Sequence, residues 1–313
     1  FVSTGTGSGK TECFLVPSIM HLLEESIRRK KSWEQKGVRI LILYPMNALV
    51  NDQLTRIRKL FGDENIANII KQDRDRPARF ATYTGRTPYP GILNTTKSTK
   101  RLEPIFEWYI PLLTDPKFNK LKNELINLGR FPAKDLEAFY KEEERSGNRR
   151  NWERRLITQI SDRELITRHE VQQEIPDILI TNYTMLEYML LRPIEKDIFS
   201  ETKKWLDQDK DNKFLLILDE AHMYRGSGGA EVALLIRRLL SRIGAINDKS
   251  RCILTTASIP TTIAKNKPNE ILQFAEDISN IDKKNYVLIQ GKEKIYSKTR
   301  KLNKKEITSL NNF

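Results

Sequence analysis

Short runs of consecutive apolar residues recur along the chain, without the alternation of polar and apolar positions that marks a strand with one wet face. Runs of this kind are typical of parallel strands covered on both faces. They are Val38–Tyr44, Ile178–Thr181, Phe214–Leu218 and Cys252–Thr255. Between them lie helical patterns, such as residues 230–243, where apolar side chains form one stripe and arginines fall off it. Strands that alternate with amphipathic helices predict an α/β fold with a central, mostly parallel sheet.

Residues 90–175 depart from this alternation of strands and helices. They contain almost no strand-like run and are dense in charge, as in the stretch around Glu142–Arg145. We interpret this segment as a largely helical, charged insertion. Its basic clusters can be solvated helix faces or a contact for nucleic acid or a partner. Towards the end of the chain, residues 279–305 are rich in lysine, with one short strand-like run at Tyr286–Ile289.

The amino-acid composition limits the classes of protein to which this chain can belong. The 313 residues carry a net charge of +13, which favours a polyanionic partner such as nucleic acid, although a lysine-rich solvated surface gives the same sum. No apolar run approaches the roughly 20 residues of a membrane span. The two cysteines, Cys13 and Cys252, have no metal-binding spacing and fit a reducing cytoplasm. Because a motif follows Phe1 almost at once, we expect the true N-terminus to lie further upstream.

The run TGTGSGKT, from Thr4 to Thr11, is the strongest local signal. Small residues let backbone N–H groups turn towards phosphate oxygens. A lysine then supplies charge to the β- and γ-phosphates, and the following hydroxyl can ligate Mg²⁺. The strict pattern has glycine where this chain has Thr4. The segment Glu12–Glu25 is predicted to be a helix whose N-terminus faces the phosphates. The candidate nucleotide-binding residues are Thr6, Gly7, Ser8, Gly9, Lys10 and Thr11.

A second signal is the tetrad DEAH at 219–222, which follows the apolar run Phe214–Leu218. A buried strand carries carboxylates to its C-terminal end, where α/β sheets bind ligands. Asp219 is expected to hold Mg²⁺ together with Thr11, and Glu220 is expected to polarise or deprotonate the attacking water. The glycine-rich stretch 225–229 beyond the tetrad is interpreted as a flexible lead into a helix that starts near Ala230.

The pair TGTGSGKT and DEAH resembles the pattern of superfamily 2 DEAD/DEAH-box helicases. Further stretches resemble motifs of their first RecA-like domain, in order, and the last is an altered form of the Ser-Ala-Thr-type coupling motif. They are Tyr44–Gln53, Tyr83–Gly85, Thr181–Leu186 and Thr255–Ser258. The resemblance covers about residues 1–89 and 176–260. The phrases YPMNALVNDQ and DEAHMYRGSGGAEVALLIRRL most resemble large bacterial phage-defence or DNA-repair helicases.

This resemblance implies a RecA-like P-loop NTPase domain that uses ATP and Mg²⁺. The catalytic residues would be Lys10, Asp219 and Glu220, and the residues that couple hydrolysis to movement would be His222, Thr256 and Ser258. Nucleic-acid contacts are expected at the strand ends on the motif face. They are Pro45, Asn47, Gly85, Thr181, Asn182 and Tyr183. Small polar groups there can hold phosphates without reading sequence, and the tyrosine can stack.

The expected organisation has four parts, of which the last leads towards a second RecA-like domain. They are the first part of helicase domain 1 (1–89), the insertion (90–175), the second part of domain 1 (176–260) and a basic C-terminal segment (261–313). The expected function is an ATP-driven motor on nucleic acid, DNA rather than RNA. The alternatives are an RNA helicase and an ATP-gated DNA-binding scaffold subunit of a defence complex. The expected protein partners are those of a defence or repair complex. Without a second domain to supply an arginine finger, this chain alone is expected to turn over ATP very slowly.

Overall fold

The computed structural model describes residues 1–3, 9–88, 95–140, 158–224, 226–257 and 268–291. The strands, in chain order, are β1 (Val2–Ser3), β2 (Ile40–Tyr44), β3 (Phe80–Thr82), β4 (Glu164–Leu165), β5 (Ile178–Asn182), β6 (Phe214–Leu218), β7 (Ser250–Thr256) and β8 (Ile289–Gln290). The helices are α1 (Glu12–Arg28), α2 (Lys30–Glu34), α3 (Asn47–Phe61), α4 (Glu64–Lys71), α5 (Thr95–Thr114), α6 (Asn119–Asn127), α7 (Leu136–Tyr140), α8 (Arg168–Glu174), α9 (Tyr183–Leu191), α10 (Lys196–Gln208), α11 (Gly226–Ile243) and α12 (Pro268–Ser279). Each predicted apolar run therefore contains a strand.

The eight strands form one sheet in the order β4-β3-β5-β2-β6-β7-β1-β8, and every described pairing is parallel. The predicted α/β fold with a parallel central sheet is thus confirmed. Because all strands run the same way, their carboxyl ends lie along one edge. That edge gathers the ends of β2, β5 and β6, whose registers align Leu43 with both Thr181 and Leu218.

Alternate residues of the central strands enter two separate apolar cores. In β2, Ile40 and Ile42 pack on the face covered by α1, α3 and α4, whereas Leu41 and Leu43 pack on the face covered by α9, α10 and α11. All five residues of β2 are buried, as are all five of β5 and β6. Burial on both faces explains why these strands read as continuous apolar runs.

The described part of the insertion is mostly helical, as predicted, and has a small core of its own around Leu112, Leu125, Phe131 and Leu136. The insertion packs closely against the main domain at Gly129. Gly129, with φ of +68°, follows α6, and a Cβ there would lie 2.1 Å from the backbone oxygen of Thr55 in α3. A side chain at this position would therefore separate the insertion from the helix on which it rests.

One part of the expected insertion belongs to the sheet. β4 pairs with β3, which places Glu164 at the first strand of the row. Arg58 of α3 donates two hydrogen bonds to the Glu164 carboxylate, at 2.8 and 2.7 Å. Two residues are too short for a strand-like run in the sequence, which is why the pattern did not reveal β4. The interval 90–175 thus combines helices with a sheet strand and the helix α8.

The amino ends of the central strands share a buried charged cluster, which we call the amino-edge cluster. Arg39 precedes β2, Asp177 precedes β5, and both are fully buried. Arg39 pairs with Glu25 at 3.0 Å and with Asp177 at 3.2 Å, and Arg76 pairs with Asp177 at 2.7 Å. The Arg39 guanidinium also lies 4.9 Å from the ring centroid of Trp205. Every charge in the cluster has an opposite charge as its neighbour.

One further detail differs from the sequence prediction. The glycine-rich stretch after the DEAH tetrad is not a flexible lead, because α11 already begins at Gly226. A Cβ on Gly229 would lie 2.5 Å from the backbone oxygen of Tyr224, so glycine lets the first turn of α11 approach the preceding segment. The described part of the C-terminal segment packs on the same domain, since α12 contacts α11 and β8 pairs with β1. In the described ranges, no helix has the length and apolar character to cross a bilayer.

Candidate functional site

The end of the phosphate loop and the start of α1 lie at the carboxyl edge of the sheet. Gly9 has φ of +80°, a left-handed conformation that favours glycine. Lys10 and Thr11 follow at once, and Thr11 is buried directly before the first turn of α1. The predicted phosphate-binding residues Thr6, Gly7 and Ser8 lie outside the described residues. The three that are described stand where a loop-to-helix junction can present backbone N–H groups and a lysine to an anion.

The DEAH tetrad reaches the same place from the other half of the chain. β6 ends at Leu218, so Asp219 and Glu220 emerge at the carboxyl edge. The Lys10 ammonium donates a hydrogen bond of 3.0 Å to Glu220 Oε1. Glu220 adopts the left-handed conformation, with φ of 50° and ψ of 45°, which non-glycine residues seldom occupy. Strain of this kind is typical of functional sites, where it costs about 1–3 kcal/mol.

Asp219 is held as a buried carboxylate with one oxygen fully engaged. The Thr255 hydroxyl and the Glu220 backbone N–H, at 2.9 Å for the latter, both donate to Oδ1. Burial raises the pKa of Asp219 above its ordinary value, although these two hydrogen bonds oppose the change. Asp219 is 5% exposed, so an ionised carboxylate here is poorly solvated. A cation bound beside it would offset that cost.

The predicted coupling residues form a chain from the carboxylates to β7. His222 Nδ1 lies 3.1 Å from the Thr256 hydroxyl and 3.2 Å from Glu220 Oε2. If Nδ1 carries a proton, it can donate to the carboxylate or to the hydroxyl oxygen; if it carries none, it can only accept from the hydroxyl, so the roles depend on the tautomer. β7 carries Thr256 at its end, and β7 lies between β6 and β1 in the sheet. The third predicted coupling residue, Ser258, lies outside the described residues.

Two residues of this site were not predicted from the sequence to lie at the nucleotide, although Tyr44 opens the helicase-like stretch Tyr44–Gln53. Arg56 of α3 donates a 3.0 Å hydrogen bond to the Thr11 hydroxyl and lies 3.6 Å from Glu12. Tyr44 ends β2 beneath the same region and is fully buried. Neither is part of a local pattern that indicates nucleotide chemistry: the arginine lies nine residues beyond the start of α3, and the tyrosine completes an apolar strand.

The predicted nucleic-acid residues also gather at the carboxyl edge, beside β2, β3 and β5. Tyr183 and Gly85 are exposed, and among the described residues other than its chain neighbours none has a heavy atom within 4 Å of where a Gly85 Cβ would stand. The Asn182 side chain accepts from the Met185 N–H at 2.8 Å and so caps α9, while its amide donates to Asn47 Oδ1 at 2.6 Å. This bond joins the starts of α3 and α9.

Two of the predicted contacts lie below that surface. Pro45 is buried, and Thr181 is fully buried, with its hydroxyl donating to the Tyr83 backbone oxygen at 2.6 Å. Through this bond Thr181 holds the end of β5 against the turn that leads to Gly85. Its side chain therefore shapes the surface, whereas Tyr183 and Gly85 are placed to touch a ligand.

Comparisons with known proteins agree with this geometry. The model of the DEAD/DEAH box helicase family matches residues 1–108 and 134–266. The Druantia protein DruE of Escherichia coli is 45% identical over 334 aligned residues, which cover 100% of this chain and 17% of that protein. An uncharacterized ATP-dependent helicase of Methanocaldococcus jannaschii is 29% identical over 118 residues, which cover 37% of this chain and 15% of the helicase. The chain thus spans about a sixth of the length of these relatives.

Solved structures of the DUF1998 helicase MrfA are also similar. The DNA-bound crystal structure is 18% identical to this chain, with a TM-score of 0.43, and the match covers 93% of this chain and 23% of that one. The structure bound to DNA and AMPPNP is 19% identical, with a TM-score of 0.42, and covers 94% of this chain and 24% of its own.

Proposed function

Because the chain belongs to the DEAD/DEAH box helicase family, we propose that it is the ATP-binding and ATP-hydrolysing motor domain of a helicase or translocase that acts on nucleic acid. The family predicted from the sequence, with its resemblance to large bacterial phage-defence or DNA-repair helicases, is confirmed by the family match and by the similarity to DruE. The eight-stranded parallel sheet agrees with the predicted RecA-like α/β fold.

The observation that carries the proposal is the contact between Lys10 and Glu220. The two residues are 210 positions apart, yet their side chains meet at 3.0 Å at the edge where α/β sheets bind ligands. A lysine that ends a glycine-rich loop and a carboxylate that ends a buried strand are two of the groups that phosphoryl transfer to water uses. Their meeting supports nucleotide hydrolysis more than any single motif does.

The described residues suit a magnesium-bound nucleotide. Thr11 offers a hydroxyl and Asp219 a carboxylate, which are the oxygen donors that Mg²⁺ prefers. Asp219 keeps Oδ2 outside the two hydrogen bonds that fix Oδ1. When bound, Mg²⁺ would neutralise phosphate charge and orient the phosphate chain. Thr11 and Asp219 would hold it.

The side chains then have separate tasks. Lys10 would exchange its contact with Glu220 for the β- and γ-phosphates, because a phosphate carries more charge than one carboxylate. This exchange releases Glu220 Oε1, so the carboxylate can orient the attacking water and accept its proton. The left-handed backbone of Glu220 fixes where that carboxylate points. Nucleotide binding therefore frees Glu220, the general base on which hydrolysis depends.

Two sets of contacts that start from this site would couple ATP hydrolysis to the binding of nucleic acid. His222 connects Glu220 to Thr256 on β7, the strand whose last two residues begin the altered coupling motif. Helix α3 connects the two regions. Asn47 at its start bonds to Asn182 at the nucleic-acid edge, and Arg56 further along the same helix bonds to Thr11. We propose that Asn47, Asn182, Tyr183 and Gly85 support a sugar-phosphate backbone, with Thr181 and Pro45 beneath them.

DNA is proposed as the polymer because of the net charge of +13 and the motif phrases shared with bacterial DNA helicases. Partner proteins of a defence or repair complex are proposed from the similarity to DruE. A cytoplasmic site of action is proposed from the two free cysteines. The chain alone is proposed to turn over ATP very slowly, because a second RecA-like domain would supply an arginine finger.

The proposal is tested by ATP hydrolysis of the full-length protein without polymer and with single-stranded DNA, duplex DNA or RNA. We expect DNA to stimulate the rate and Glu220→Gln to lower it by about 100-fold or more, the usual contribution of a general base. The matched control is Glu231→Gln on the exposed face of α11. Stimulation by RNA alone would reassign the substrate. Hydrolysis that no polymer changes would favour an ATP-gated scaffold, and a Glu220→Gln protein as fast as the control would contradict the assigned chemistry.

A further inference from the structure

Tyr44 lies at the centre of the carboxyl edge. It is the last residue of β2, and the register pairs it with Asn182 of β5 on one side. On the other side, Leu43 pairs with Leu218 of β6, so the residue after it stands beside Asp219. The Tyr44 position is thus between the proposed magnesium carboxylate and the proposed nucleic-acid motif.

The Tyr44 hydroxyl is buried and has no hydrogen-bond partner within the described ranges. The other buried tyrosines near this edge do have partners. The Tyr224 hydroxyl donates to the Leu43 backbone oxygen at 3.3 Å, and the Tyr83 hydroxyl donates to Glu195 at 2.9 Å. An unpaired buried hydroxyl destabilises a fold, and such groups in native proteins often have a role beyond packing.

Packing alone does not require this hydroxyl. The Tyr44 ring belongs to the apolar core formed with Phe14, Val50 and Phe80. Phenylalanine would fill the same space there without burying an unpaired polar group, because the two rings differ only by the oxygen. The hydroxyl therefore has its use in a state of the protein that includes another polar group.

The surroundings indicate which polar group that is. Burial raises the pKa of the Tyr44 hydroxyl well above its ordinary value, the negative charges of Asp219 and Glu220 raise it further, and Arg56 opposes them. These three residues surround the end of the site where Lys10 and Thr11 would hold the terminal phosphates. Arg56, whose side chain is 53% exposed, covers this region from α3 and is free on its outer side to move away.

We infer that Tyr44 is a further residue of the nucleotide site, whose hydroxyl donates a hydrogen bond to an oxygen at the γ-phosphate end of the bound nucleoside triphosphate. The oxygen belongs either to the γ-phosphate or to the water that attacks it. The phosphate oxygen is a strong, charged acceptor and the water a weaker, neutral one; both enter only with the nucleotide, which accounts for an unpaired donor in its absence. The inference rests on the proposed function.

The test is Tyr44→Phe in the full-length protein, with Tyr224→Phe as the matched control. Both changes remove one buried tyrosine hydroxyl near Asp219, but only the control hydroxyl has a partner here. For Tyr44→Phe we expect the melting temperature without nucleotide to stay the same or rise, while kcat falls about tenfold to a hundredfold, as for loss of a hydrogen bond to a charged acceptor. The control should melt at a lower temperature and keep its kcat.

Binding separates the two acceptors. If Tyr44→Phe weakens binding of the non-hydrolysable analogue AMPPNP but not of ADP, the acceptor is a γ-phosphate oxygen. If both bind as before and only kcat falls, the acceptor is the attacking water. The inference is overturned if kcat and AMPPNP affinity are both unchanged, or if Tyr44→Phe destabilises the nucleotide-free protein as much as the control does.

The outcome also distinguishes the inference from the proposed function. If the wild type hydrolyses ATP, Glu220→Gln abolishes this and Tyr44→Phe leaves it unchanged, only the inference fails. If the wild type does not hydrolyse ATP under any condition, both fail.

Discussion

The two edges of the sheet differ in how far their buried charged groups are compensated by neighbouring residues. At the amino edge, Arg39 and Arg76 stand among Glu25 and Asp177, and each charge has an opposite neighbour. Burial alone would raise the pKa of Asp177, but the charges of Arg76 and Arg39, with hydrogen bonds from the Arg76 side chain and the Arg79 backbone N–H, hold it below its ordinary value. At the carboxyl edge, burial raises the pKa of Asp219, the opposite direction.

The carboxyl edge is incomplete in other respects as well. Glu220 stands in a left-handed conformation with one close cation, Lys10, and the hydroxyl of Tyr44 has no partner in the part of the chain described. Charged groups that are similarly buried in the sheet therefore have two different environments. Charges that are satisfied within the protein stabilise the fold, whereas charges left incomplete are available to a ligand. The comparison distinguishes a structural cluster from a functional site without reference to motifs.

The largest effect is expected at the amino edge. Arg39→Met leaves Glu25 and Asp177 with less compensating charge in a fully buried setting, so we expect the free energy of unfolding to fall by about 3–5 kcal/mol. Denaturant unfolding measures this. The control is Arg28→Met on α1, whose side chain is 73% exposed and 3.7 Å from Glu24, where a loss below about 1 kcal/mol is expected. Equal losses for the two variants would show that the cluster is not a structural centre.

An intermediate effect is expected at the exposed part of the carboxyl edge. Tyr183→Ala removes an exposed ring from the end of β5, and we expect binding of single-stranded DNA by the full-length protein to weaken about tenfold, as for loss of one stacking contact. Tyr188→Ala, on the same helix α9 and 53% exposed, is the control and should bind as the wild type does. Equal affinities for all three proteins would exclude Tyr183 from the nucleic-acid surface.

The smallest effect is a gain in stability. Because burial raises the pKa of Asp219, ionisation of this carboxyl disfavours the folded state. Asp219→Asn should therefore slightly stabilise the nucleotide-free protein at neutral pH while abolishing hydrolysis. The gain is fully present above the raised pKa and disappears as the pH falls below the ordinary value of 3.8. A variant that is less stable than the wild type at pH 7 would contradict this.

Much of the fold could be predicted from the sequence, because its central strands are buried on both faces. Continuous apolar runs therefore marked β2, β5, β6 and β7. The two-residue strand β4 left no such run, since only Leu165 of its pair is apolar. The glycines after the DEAH tetrad were interpreted as a flexible lead, whereas a close approach to Tyr224 explains Gly229 within a helix.

The site was predictable where chemistry follows local order, as in Lys10 with Thr11 and in Asp219 with Glu220. It was not predictable where distant elements supply a single group. Arg56 reaches Thr11 across 45 residues, and Tyr44 reads as the last position of an apolar strand. The amino-edge cluster is similar, because its charges lie in α1 and in separate connecting segments and meet only when the strands are placed side by side. Such contacts depend on topology rather than on spacing.

The central claim is that the carboxyl edge completes its polar contacts only with ATP and Mg²⁺. The most direct measurement is the melting temperature of the full-length protein with increasing ATP–Mg²⁺, for the wild type, Lys10→Ala and Arg39→Met. We predict that the wild type is stabilised, by about 2.7 kcal/mol at a hundredfold excess over Kd, and that Arg39→Met starts lower but gains as much. Lys10→Ala should lose most of the gain. A wild type that ATP–Mg²⁺ does not stabilise, or a Lys10→Ala protein that gains as much, would contradict the account.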